Sequence, residues 1–163
     1  MNSDAFSSRV TSLEDLKKNV GKEIGISKWI QVEQKNINLF AEATLDFQWI
    51  HTDPELAKIH SSYGTTVAHG FMVLSLMPKF LYEVLHIDEA LMGVNYGLDK
   101  VRFPRSVPVD SYIRARVFLS EYEDITDGAR VNFKISVEIK DQEKPACVAD
   151  FIALIITEET ENI

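Results

Sequence analysis

An aspartate and a histidine stand five residues apart in the run Asp46-Phe47-Gln48-Trp49-Ile50-His51, and Ala68-His69-Gly70-Phe71 follows downstream. A carboxylate and an imidazole on one loop form an acid/base couple. Such a couple can take a proton from water and deliver one to a carbon, the two transfers needed to add water across a double bond conjugated to a thioester. The same reaction gathers negative charge on the thioester oxygen, where hydrogen-bond donors must meet it. Gly70 opens a long apolar stretch that reads as a helix. The N–H groups of a helix's first turn lack partners within the helix and sit at its positive end, and glycine there lets a ligand approach closely. Asp46, His51 and Gly70 are therefore a candidate catalytic set. Spacing alone leaves a structural reading open as well, in which Asp46 caps the Gln48 region and His51 makes a satisfied hydrogen bond.

These residues need elements to hold them. Helical spacing of Ile37, Phe40, Ala41 and Ala43 predicts a helix over 33–44 that leads into the loop. Asp53-Pro54 caps and starts a short helix to His60. Residues 70–85 read as one helix, apolar on almost every face and bent at the interior Pro78. Such a helix must be wrapped. Alternation in 113–119 and 131–139, a near-continuous apolar run over 146–156, and a further strand over 94–103 supply the sheet. In the last of these the apolar parity flips after Leu98, so a bulge near Asp99 or Lys100 would turn both sets inward. Asp127-Gly128 reads as a hairpin turn. Upstream, Ile24, Ile26, Ile30 and Val32 share one strand face, interrupted by Lys28. The order predicts an α+β domain, an antiparallel sheet curled around a central apolar helix. The expected division is a helical N-terminal extension over 1–20, with a helix at 12–20 capped by Ser12 and ended by Gly21, and one domain over 21–163.

Composition narrows the function. Of 163 residues 45% are apolar, enough for one full core, and apolar runs break before membrane-spanning length. No signal-peptide pattern is present, so a cytoplasmic location is expected. The net charge of −8 opposes nonspecific attraction to nucleic acid or an anionic membrane surface. The single Cys147, in an apolar run, excludes an internal disulfide and reads as core. No His/Asp/Glu trio has metal spacing and no phosphate-binding glycine loop is visible, so neither metal nor nucleotide cofactor is expected. His60 and His86 read as surface or helix-end residues.

Asp46, His51 at +5, Ala57 and Ala68-His69-Gly70 together resemble the signature of (R)-specific enoyl-CoA hydratases and MaoC-like dehydratases, which have the hot-dog fold. Gln48-Trp49-Ile50, Ala68-His69-Gly70-Phe71, Asn95-Tyr96-Gly97 and Lys100-Val101-Arg102-Phe103-Pro104 make the chain look most like the branch of nodulation protein N. The likeness covers roughly residues 20 to 157. It implies that Asp46 and His51 are the catalytic pair, that the Gly70 N–H is the oxyanion donor, and that the substrate is an acyl thioester of coenzyme A or acyl-carrier protein. Substrate contacts are expected from Gln48, Trp49 and His69, and, toward coenzyme A phosphates, from Lys100 and Arg102 with Arg105 nearby; a solvated face explains the basic cluster as well. His69 can equally tie the loop to the helix. A homodimer is expected, since hot-dog domains commonly pair sheet edges.

Three positions depart from the hydratase pattern. Leu45 replaces a glycine and is expected to narrow or reshape the loop, Gln48-Trp49 replaces Asn-Pro, and Pro78 stands where a serine is usual, with Ser75 one turn earlier as a substitute donor. Hydration of a trans-2-enoyl thioester thus competes with a non-catalytic acyl-thioester or lipid-binding protein and with thioester hydrolysis. The intact pair favours hydration, because drift after loss of catalysis would not need to preserve it.

Overall fold

The structure, a computed structural model, describes residues 5–157. In chain order its elements are β1 (Ser8–Val10), α1 (Leu13–Lys17), β2 (Lys22–Ile26), β3 (Ile30–Gln31), α2 (Gln34–Thr44), α3 (Trp49–Thr52) and α4 (Pro54–His60). They continue with α5 (Gly70–Ser75), α6 (Met77–Val84), β4 (Leu85–Ile87), β5 (Met92–Arg102), β6 (Tyr112–Ile125), β7 (Gly128–Ile139) and β8 (Cys147–Ile156). The main sheet runs β2-β6-β7-β8-β5, all antiparallel, with β3 also on β6.

Strict alternation in sequence becomes strict alternation of burial. Ile113, Ala115, Val117 and Leu119 of β6, Val131, Phe133, Ile135 and Val137 of β7, and Cys147, Ala149, Phe151, Ala153 and Ile155 of β8 line one dry face. Against it lie Met72 and Val73 of α5 and Met77, Phe80 and Val84 of α6. A fully buried side chain of this size contributes about 1.5–3 kcal/mol, so this layer contact is the main source of stability. The β6–β7 hairpin turns through Thr126-Asp127, with Ile125 paired to Gly128 as the first residue of β7. Gly128 is required by packing: a Cβ there would stand 1.8 Å from the Ile155 carbonyl oxygen.

The structure corrects the sequence reading in several places. The expected 70–85 helix is two helices. Pro78 falls in the first turn of α6, where its missing N–H costs nothing, so the break comes at Leu76 and the chain does not merely bend. Phe71 and Tyr82 remain exposed, so the two helices, apolar on almost every face, are not buried on every face. The expected bulge is present, between Leu98 and Val101, with a second between Asn95 and Gly97. Even so Met92, Val94, Tyr96 and Leu98 of β5, and Phe103 just after it, stay exposed, and Val101 is only partly buried. The strand expected through Ile24 to Val32 splits into β2 and β3, since Ser27 turns its hydroxyl to accept from the Ala115 N–H.

The N-terminal helix is shorter than expected. Ser12 does cap it, accepting from the Asp15 N–H at 3.2 Å, but it ends at Lys17. Two short strands were not anticipated: β1 pairs in parallel with β4, and with α1 it sends Val10, Leu13 and Leu16 into the same core as the sheet. Among the described residues no helix is long and apolar enough to cross a membrane.

Candidate active site

Helix α2 ends at a left-handed residue, and that residue is Leu45, with φ 61° and ψ 23°. A side chain costs about 1–2 kcal/mol in this conformation, which explains why glycine suits the position. Leu45 does not narrow the loop as expected: its side chain is 78% exposed and points to solvent. The cost is borne by the backbone, and the reversal it makes delivers Asp46 to the surface directly beside the end of the helix.

The chain then coils into α3, a single turn on which His51 faces inward. The His51 N–H donates to the Gln48 carbonyl at 2.9 Å, and Asp53 closes α3 and opens α4 by accepting from the Leu56 N–H at 2.9 Å. An extended segment, Thr66-Val67-Ala68, locks this turn to the rest of the domain. Val67 donates to the Ile50 carbonyl at 3.0 Å and Ala68 to the Val107 carbonyl at 2.8 Å. Gln34, the first residue of α2, bridges the site: its amide donates to the His51 carbonyl at 2.7 Å, and its oxygen accepts from the Thr66 hydroxyl.

His51 is 8% exposed, and its Nδ1 lies 2.6 Å from the Val67 carbonyl oxygen. A carbonyl only accepts, so Nδ1 carries the proton and Nε2 is left with its lone pair. Burial holds the imidazole below the ordinary histidine range, and the neighbouring His69 adds to this; the Val67 bond and the Asp46 carboxylate oppose it. At neutral pH His51 is thus an uncharged base with a fixed tautomer. The His69 ring stacks on it, with centroids 3.8 Å apart and planes at 27°. Asp46 is exposed, and one of its carboxylate oxygens accepts a long bond, 3.4 Å, from the Gln48 N–H. Both structural roles considered for the pair, the Gln48 contact and the buried histidine bond, are therefore present, and neither uses His51 Nε2.

Ligating atoms of Asp46, His51 and His69 lie within 4.8 Å of one another, a trio that the sequence reading did not find because its members are spread over 24 positions. His51 Nδ1 and His69 Nε2 are each engaged by a main-chain carbonyl, which leaves His51 Nε2 and the buried His69 Nδ1 as the nitrogens an ion could take. The arrangement suits proton handling.

His51 and Gly70 line one cavity of about 210 Å³, walled by Ile50, Val67, Val73, Phe103 and Val107 and edged by Tyr63, Arg105 and Ser106. The Tyr63 and Ser106 hydroxyls are hydrogen-bonded at 3.0 Å. Gly70 is tightly packed: a Cβ would press on the Phe103 ring at 3.1 Å. Larger spaces lie elsewhere. An apolar cleft of about 390 Å³ runs between α6, β4 and β5, and a groove of about 500 Å³ crosses the outer face of the sheet. Lys100 and Arg102 line that outer groove, with Arg116 and Lys134, and the structure does not bring them to His51. Ser75 is not brought there either; its hydroxyl donates to the Met72 carbonyl at 2.8 Å. Gln48, the N-cap of α3, and Trp49, its first residue, lie between Asp46 and His51 in the chain and do not line the His51 cavity. His60 and His86 are exposed, and His86 lies 3.1 Å from Asp88.

Fold and site together define an α+β hot-dog domain that presents a carboxylate and a neutral imidazole beside the start of a helix. Residues 15–141 match the family model described as MaoC like domain, and the chain belongs to that family. It is 44% identical over 142 residues to 3-hydroxyacyl-thioester dehydratase Z of Mycobacterium tuberculosis, covering 86% of this chain and 93% of the relative. It is 42% identical over 146 residues to nodulation protein N of Rhizobium leguminosarum bv. viciae, covering 88% and 91%. Among solved structures, a monoamine oxidase regulatory protein from Archaeoglobus superposes with a TM-score of 0.73 at 25% identity, covering 94% of this chain and 99% of that one.

Proposed function

We propose that the protein adds water reversibly to a trans-2-enoyl thioester to give a 3-hydroxyacyl thioester, with Asp46 and His51 as the acid/base pair and the Gly70 N–H as the donor to the thioester oxygen. The observation that carries this reading is the convergence of a neutral His51, with Nε2 unused by its structural bond, and of Gly70 on one small cavity, with an Asp46 carboxylate oxygen within 4.8 Å of a ring nitrogen of His51.

In the hydration direction a water lies between the two side chains and loses a proton to the pair as its oxygen bonds to C3. The C2=C3 electrons move toward C1, and negative charge collects on the thioester oxygen. The Gly70 N–H meets that charge at the positive end of α5. The pair then returns a proton to C2, so it ends as it began. Because two groups share one water, the apparent pKa values belong to the pair. Dehydration is the reverse.

Of the three cations considered for the phosphates of the carrier, Arg105 is the one that lines the cavity holding His51, and substrate contacts from Gln48 and Trp49, which do not line it, would have to come from outside that cavity. We place a second copy of the chain against β5, whose outer edge is unpaired among the described residues and whose Met92, Val94, Tyr96 and Leu98 are exposed. A monomer at micromolar concentration in sedimentation would overturn the dimer.

The activity is tested with crotonyl-CoA, following the conjugated thioester absorbance together with free thiol, with and without a chelator. Loss of absorbance without thiol release, unaffected by chelation, is the expected result. Thiol release would assign a thioesterase, and no change in either signal across enoyl thioesters would leave a binding protein.

A further inference from the structure

The His69 side chain contacts both members of the pair. It is 3% exposed, stacks on the face of His51 at 3.8 Å and sets Nε2 3.0 Å from the main-chain oxygen of Asp46. Its Nε2 is also 3.9 Å from an Asp46 carboxylate oxygen, beyond hydrogen-bond range, so the main-chain contact is the real bond. A carbonyl oxygen can only accept, which fixes the proton of His69 on Nε2. Its Nδ1 is buried and has no hydrogen-bond partner among the described residues. A residue needed only to fill the core would not require a nitrogen there, since burying an unpaired polar atom carries a cost. The Phe40 ring of α2 also meets the His69 ring, with centroids 5.1 Å apart and planes at 50°, so the imidazole contacts both α2 and α3. Its own backbone is the N-cap of α5, with the His69 carbonyl accepting from the Val73 N–H at 3.2 Å.

Asp46 follows a strained residue at the end of α2, and its exposed loop holds it by little else: the Gln48 contact is long. We infer that His69 is the positioning residue of the site, the Nε2–H tautomer tying the Asp46 main chain to the residue before Gly70 while the ring braces His51. One side chain thereby fixes the separation of the carboxylate, the imidazole and the helix start. This rests on the catalytic reading of Asp46 and His51 given above. His69 does not itself touch the reacting atoms, and its effect falls on the geometry of the pair.

The test compares His69→Phe, which keeps a flat ring against His51 and loses the donor, with His69→Gln, whose amide N–H reaches nearly the same place as Nε2–H. His69→Phe is expected to lower kcat about 10²-fold, the scale of an ångström-sized misplacement, with KM changed no more than about threefold. His69→Gln is expected to restore most of that loss. Nitrogen-15 NMR of the wild-type protein at about pH 8 reads the tautomer directly and does not depend on a variant folding. A proton on Nδ1, wild-type kcat in a folded His69→Phe, or an equal kcat loss in both folded variants would each overturn the assignment. If Asp46→Asn abolishes turnover while His69→Phe does not change it, only the positioning role fails; if Asp46→Asn leaves turnover intact, the catalytic reading of the pair fails.

Discussion

Asp46→Asn separates the chemistry of the loop from its architecture. The only hydrogen bond of the Asp46 carboxylate among the described residues is the 3.4 Å contact from the Gln48 N–H, and an asparagine Oδ1 accepts that bond equally well. The His69 bond goes to the main chain, which the substitution leaves alone. Asp46 is exposed, so no buried charge is created or lost. Unfolding free energy should therefore change by less than about 0.5 kcal/mol, as for surface positions without special partners. Turnover should behave otherwise, because the amide can neither accept nor deliver a proton, and kcat should fall about 10²–10⁴-fold. The assay pairs urea unfolding with the loss of conjugated enoyl-thioester absorbance. His51→Ala should lose as much activity, and the double variant should be little worse than the poorer single variant, because residues working as one unit are not additive. Unlike Asp46→Asn it should also lose stability, about 1–3 kcal/mol, for leaving the Val67 carbonyl unpaired. Wild-type turnover in Asp46→Asn on every enoyl thioester that the parent accepts would refute the acid/base assignment and leave Asp46 a turn residue.

Three further outcomes are expected. Because burial lowers the His51 pKa from the ordinary value of 6.5, the folded state binds fewer protons than the unfolded state just below that pH. Stability should thus rise with pH through that window and level off above it; His51→Gln should flatten the rise, and in the parent the acid limb of kcat/KM should fall below pH 6.5. Gly128→Ala would drive a Cβ to 1.8 Å from the Ile155 carbonyl oxygen and should cost at least about 1–3 kcal/mol in urea unfolding, whereas Gly97→Ala, with nothing within 4 Å, should be nearly neutral. Cys147 is buried and its thiol is pushed up to about 11, so a thiol reagent at neutral pH should label it only when denaturant opens the domain.

Local pattern was enough for much of this molecule. The two-residue alternation in β6, β7 and β8 passes directly into burial, because a strand sends successive side chains to opposite faces whatever its neighbours are. Caps read as well: Ser12 and Asp53 are the N-caps expected of them, accepting from the Asp15 and Leu56 N–H groups three residues on. Asp46, His51 and Gly70 stand out through residue type, spacing and family resemblance together; the structure puts His51 and Gly70 on one cavity and an Asp46 carboxylate oxygen within 4.8 Å of a His51 ring nitrogen. Pro78 was read with the right chemistry at the wrong position, since the same missing N–H that bends a helix interior is harmless in a first turn, and sequence does not say where the turn begins.

What the sequence left undecided depends on distance in the chain. His51 and His69 are 18 positions apart, and neither periodicity nor composition reports that their rings stack, or that His51 Nδ1 meets the Val67 carbonyl and so leaves Nε2 for chemistry. Gln34 looks like a solvent-facing helix residue until Thr66 and the His51 carbonyl are placed against it. The basic residues Lys100, Arg102 and Arg105 form one cluster in sequence but face two different spaces, because the bulge in β5 and the turn after it redirect the chain. A strand or helix is written in neighbouring residues, whereas the tautomer, burial and reach of a catalytic side chain are set by groups that only the closed fold brings beside it.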